Sequence, residues 1–101
     1  MSGDPGSTGE RRTRTEYVAE CFWPGVTGDD LAELEARAKA VAGESDGVGY
    51  LGSMLMPGDE VVFCFFDGTS REAVQAVAER ARVPFERVVE SVRNSSLRGT
   101  S

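Results

Sequence analysis

Between residues 15 and 93 the apolar positions recur with two periods, every second residue or every third to fourth. "TEYVAECFW" (15–23) is rich in aromatic and β-branched residues and stops at Pro24-Gly25, which predicts a strand. In "TGDDLAELEARAKAVAGES" the residues Leu31, Leu34, Ala38 and Val41 recur at helical spacing, so one face of a helix is apolar. Thr27, with Asp30 three residues on, makes a capping box at its start, and Gly43 is its expected stop. "VGYLGSMLM" (48–56) and "EVVFCFFD" (60–67) are two further strands around Pro57-Gly58, which suits positions i+1 and i+2 of a type II turn. "SREAVQAVAERARV" is a second helix, opened by Thr69 and Glu72 as a capping box, with Ala73, Val74, Val77 and Ala81 as its apolar stripe. Pro84 follows it, and "FERVVESVR" (85–93) is the last strand.

The order β-α-β-β-α-β defines an α+β fold of the ferredoxin-like kind. It has a four-stranded antiparallel sheet in spatial order 4-1-3-2, with both helices on one face. The first and third strands are central in that order and are also the most apolar. Flanking residues 1–14 and 94–101 are rich in Gly, Ser, Thr and charge, and are expected to be disordered tails around a domain at 15–93.

Two helices can cover only one side of such a sheet. On "EVVFCFF" one side carries Val61, Phe63 and Phe65, and the other Val62, Cys64 and Phe66. On the first strand the choice is Tyr17, Ala19, Cys21 and Trp23, or Val18, Glu20 and Phe22. Whichever set faces away from the helices would leave large apolar side chains wet, each costing about 1.5–3 kcal/mol relative to burial. A contiguous patch of that kind marks an interface or a ligand site. The expected solution is a homodimer stacked face to face across a two-fold axis, with a cleft between the sheets for a small organic ligand.

Glu20, between Val18 and Phe22, is the carboxylate to follow, because burying it without a partner is expensive. Inside a cavity its pKa would rise toward the range useful to a general acid or base; the plain alternative is a solvated or salt-bridged side chain. The protein would be a binding protein or an accessory enzyme of specialised metabolism; if an enzyme, these groups suit a cofactor-free isomerase or cyclase with Glu20 as its catalytic residue. Tyr50 and Ser53 would orient the substrate, and Tyr17, Phe22, Trp23, Cys64, Phe66 and Glu90 would complete the ligand-binding wall. The indole of Trp23 would be either a lid or a core plug. The alternative function is a non-catalytic metal-binding or structural dimer module.

Composition narrows the surroundings. Forty per cent of residues are hydrophobic and 28% charged, as in ordinary globular chains. No apolar run approaches the roughly 18 residues of a membrane span, and residues 1–16 lack the apolar core of a secretory signal, so the expected compartment is the cytoplasm. Net charge is −6, and the body is more acidic still, since Arg11, Arg12, Arg14 and Arg98 lie in the tails. That argues against nucleic acid as a partner, whose affinity rests on neutralising phosphates. Cys21 and Cys64 lie in apolar stretches, read as buried thiols without an imidazole base, since the chain has no histidine.

Three blocks, "VAECFWPGVTGDDL", "YLGSMLMPGDEVVFCFFDGTS" and "VPFERVVESV", resemble those of the DUF4242 family, small ferredoxin-like proteins common in actinobacteria. The resemblance covers about residues 16–93 and is carried by Glu20, Pro24-Gly25, Ser53, Cys64 and the 84–92 segment. It implies a dimeric α+β barrel, and nickel binding in some members. With no histidine to supply imidazole ligands, no metal site and no cofactor are expected in this chain.

Overall fold

The computed structural model describes residues 14–92. Strand β1 (Thr15–Phe22), helix α1 (Gly28–Gly43), strand β2 (Val48–Met56), strand β3 (Val61–Gly68), helix α2 (Arg71–Arg80) and strand β4 (Arg87–Glu90) follow one another in the expected order. The four strands form one antiparallel sheet, β2-β3-β1-β4, as the sequence pattern predicts. The tails expected at 1–14 and 94–101 lie outside the described residues, apart from Arg14, which pairs with Asp67 at 3.1 Å.

Register divides the strand residues between two faces. Tyr17 lies opposite Phe66, Ala19 opposite Cys64 and Cys21 opposite Val62. These side chains, with Val48 and Val88, join Leu34, Ala38, Ala42, Val74, Val77 and Ala78 of the helices in one core cluster. The other face carries Val18, Glu20 and Phe22 of β1 beside Phe65, Phe63 and Val61 of β3. Met54 and Met56 of β2 and Arg87 and Val89 of β4 extend it to both edges.

Local chemistry explains the boundaries, with four departures from the sequence reading. Thr27 forms the expected capping box, its hydroxyl accepting from the Asp30 amide while the Asp30 carboxylate accepts from the Thr27 amide. At the second helix the cap is Ser70, not Thr69: the Ser70 hydroxyl accepts from the Ala73 amide at 3.1 Å. The Thr69 amide instead donates to Gly47 O, which ties the start of α2 to the β2 turn. Gly43 is simply the last residue of α1; the left-handed position falls at Gly47, with φ +84°. The β2–β3 loop is not a type II turn, because Gly58 keeps a negative φ. The Asp59 and Glu60 amides close successive turns onto Met56 O and Pro57 O, and Glu60 takes the left-handed conformation at φ 57°.

The last strand is also shorter than 85–93. Phe85 turns inward against the core, so the ladder with β1 covers only Arg87–Glu90, flanked by bonds from the Glu86 amide to Glu20 O and from the Ser91 amide to Glu16 O.

The end of α2 is tightly satisfied. The Val83 amide bonds back to Ala78 O and the Arg82 amide to Glu79 O, a Schellman closure that puts Arg82 in the left-handed region at φ 60° where glycine is usual. From the neighbouring helix the Arg37 guanidinium donates to Ala81 O at 2.7 Å and to Arg82 O at 3.4 Å. Close approach also explains Gly68: a Cβ there would lie 2.5 Å from Val74 Cγ2, so the glycine lets α2 settle onto β3.

Candidate functional site

The open face has an apolar floor with a charged pair across it. One cross-strand row runs Arg87, Glu20, Phe63, Met54, and the next runs Val89, Val18, Phe65, Gly52. Phe22 is 53% exposed and Met54 50%, with Met56 close behind. Glu20 is neither buried alone nor free. Arg87 Nε donates to its Oε1 at 2.7 Å, and this bond raises the already high pKa of the guanidinium. A carboxylate paired this way is suited to orienting a polar group or closing a charge pair.

The second polar cluster lies on the other side of the sheet. Glu35 of α1 accepts hydrogen bonds from Tyr50 Oη at 3.3 Å and Ser53 Oγ at 2.5 Å. Burial, countered in part by the Ser53 hydroxyl, pushes the Tyr50 phenol well above its usual range. Its ring stands edge-on to Phe66, centroids 5.3 Å apart. The cluster therefore clamps α1 onto β2, beside the bulge where Leu51 is the extra residue and Gly52 takes φ +140°.

The residues expected to line one cavity are thus divided. Glu20 and Phe22 lie on the open face. Tyr17, Tyr50, Ser53, Cys64 and Phe66 face the helices, and Tyr17, Cys64 and Phe66 are buried there. Tyr50 and Ser53 cannot orient a substrate against Glu20, because the sheet stands between them. Glu90, opposite Tyr17 on the edge strand, is exposed and sits on the helix side, not beside Glu20. Trp23 packs against the core, its amide donating to Glu60 O at 2.8 Å, so the indole is a plug.

Two participants were missing from the sequence reading. Register alone makes Arg87 the partner of Glu20. Glu35 did carry a signal: it stands four residues after Leu31 and three before Ala38, a charge inside an otherwise apolar helical stripe.

A shallow groove of about 220 Å³ between the end of α1 and the start of β2 is lined by Lys39, Ala42, Gly43, Val48, Gly49 and Tyr50. Among the described residues no three Asp, Glu, Cys or His side chains come together as metal ligands. No helix among them is long and apolar enough to cross a membrane.

Fold and open face together define a small ferredoxin-like α+β protein with one helix-covered and one uncovered sheet surface. The family model described as "Nickel responsive protein SCO4226-like" matches residues 17–90, and the chain belongs to that family. Its fold is similar to that of SCO4226 from Streptomyces coelicolor A3(2), seen in a crystal structure. The two are 25% identical with a TM-score of 0.68, and the match covers 78% of this chain and 98% of that one. A structural-genomics protein, YJCS, shares the fold alone, at 10% identity and a TM-score of 0.51 over 80% of this chain and 98% of its own. No curated protein matches the sequence.

Proposed function

We propose that the protein is a non-catalytic binding module that works as a homodimer, two copies closing an apolar chamber between their open sheet faces. The observation that carries this reading is the pair of half-exposed side chains Phe22 and Met54, flanking Phe63, on the one sheet face the helices do not cover. Such a face gains from a second copy, and the adjacent Glu20 and Arg87 give it both signs of charge, as a self-complementary two-fold contact requires. The chamber suits a small organic molecule whose apolar part lies on Phe63 and Phe65 and whose polar end meets the Glu20–Arg87 pair. Binding is favoured over isomerase or cyclase chemistry because Glu20 is engaged by Arg87 and both candidate hydroxyls lie behind the sheet.

Family membership supports a second occupant, nickel. The donors of a single chain fit it poorly. There is no histidine, both thiols are buried under the helices, and no three ligating side chains meet among the described residues. A nickel site on this fold would need carboxylates from both copies, with Glu20 the one nearest the centre of the open face.

Native mass spectrometry of the freshly purified protein, followed by calorimetric titration with nickel, separates these occupants. A dimer carrying a co-purifying organic compound, and no nickel heat, supports the organic ligand. Micromolar or tighter nickel binding that is lost in Glu20→Gln transfers the chamber to the metal. A monomer with neither occupant would end the proposal.

A further inference from the structure

The two cysteines occupy diagonal positions on neighbouring strands, Cys64 opposite Ala19 and Cys21 opposite Val62. Both point to the helix side, and they are 0% and 1% exposed. Cys21 Sγ donates to Ala19 O at 3.8 Å, which leaves the two thiols as neighbours on the buried face. The neighbouring Cys21 thiol and burial hold Cys64 above its usual range, and the Cys64 thiol lowers Cys21.

From this geometry we propose that Cys21 and Cys64 form a two-coordinate site for a thiophilic divalent cation of the Hg²⁺ class, separate from the open-face chamber. Three features select the ion. Two thiolates are the whole donor set, because no third ligating side chain joins them among the described residues, so tetrahedral zinc and four-coordinate nickel are undersupplied. Soft sulfur selects soft metals. The charged groups acting on the pair, Glu35 beside Cys64 and Glu86 beside Cys21, are both acidic. A monovalent ion such as Cu⁺ would leave a net negative charge on the two sulfurs in a dry core that already feels two carboxylates, which is costly. A divalent ion leaves none. On binding, two S–H bonds break and two metal–sulfur bonds form, both protons pass to the buffer, and no electrons are exchanged.

The test uses the full-length reduced protein and Hg²⁺ supplied with an excess of a simple monothiol, so that only capture by two sulfurs at once competes. Native mass spectrometry should show one mercury per chain with two protons lost, and both cysteines should become unreactive to a thiol reagent after unfolding. The melting temperature should rise, because the ion binds the folded pair. Cys21→Ala and Cys64→Ala should each weaken capture by about 100-fold or more, the usual scale of a lost second attachment. Mercury held equally well by either single-cysteine variant would overturn the proposal. So would a stoichiometry of one ion per thiol, no adduct at all, or a melting temperature that falls on binding. Wild-type stoichiometry and melting decide the matter even if a variant fails to fold.

Discussion

The two faces of the sheet are built by the same strands, residue by alternate residue, and they differ in what finishes them. On the helix side Phe66, Cys64 and Val62 are fully buried against α1 and α2. On the open side Phe65, Phe63 and Val61 are only partly covered, and Phe22 and Met54 are half exposed. The chemistry of the two sets is nearly equal; the number of layers is not. Apolar content alone therefore identifies a strand buried on both sides, while only register and the helix positions say which side one chain completes by itself.

The polar groups repeat the contrast. Behind the sheet, Glu35 is satisfied by two hydroxyls from β2 and serves packing. In front, Glu20 is satisfied by an edge-strand arginine that is itself largely exposed. The first cluster fixes a helix, and the second remains available to whatever approaches.

Substitutions should expose the difference, the covered face first. Phe66→Ala removes a fully buried ring and its edge contact with Tyr50, and should lower unfolding free energy by about 3–5 kcal/mol in a denaturant titration. A loss below about 1 kcal/mol would mean that the helix side is not the core. Gly68→Ala forces a methyl into Val74 and should cost about 2 kcal/mol, read the same way. Arg82→Gly relieves the left-handed residue after α2 and should stabilise by about 1 kcal/mol.

A pH series gives a subtler reading. Tyr50 and Cys64 are both raised above their ordinary values of 10.0 and 9.0 by folding, so the native state keeps protons that the unfolded chain gives up. Their stabilising share is complete below about pH 9 and declines as pH climbs past those values. Tyr50→Phe should flatten the alkaline loss; an unchanged slope would remove Tyr50 from it. Smallest of all, Met54→Ser on the open face should change the stability of an isolated chain by less than about 0.5 kcal/mol. Its effect belongs to association.

Much of this was legible in advance for physical reasons. Strand order followed from the β-α-β-β-α-β succession, with the most apolar segments falling at its centre, and the first helix cap from Thr27 and Asp30 at the right spacing. The misplaced features were those set by one residue of register. Ser70 caps in place of Thr69, since the Thr69 amide is committed to Gly47 O. Glu60, not Gly58, carries the positive φ. The expected cavity wall mixed both faces because Tyr17, Cys64 and Phe66 alternate with Glu20 and Phe22 across the sheet, and on β2 a bulge at Leu51 shifts the register by one position after Tyr50. It keeps Ser53 on the same side as Tyr50, facing Glu35 and away from Glu20. Arg87 became the partner of Glu20 only through β1–β4 pairing, which links residues 67 apart in sequence.

The proposed chamber exists only if a second copy covers the open face in solution, and light scattering on the purified chain at micromolar concentration tests that most directly. Wild type should give twice the mass of the 10.8 kDa chain, and a Phe22→Ser, Met54→Ser double variant should shift to single-chain mass while keeping its melting transition. A wild-type protein that scatters as a single chain, with no ligand bound, would contradict it.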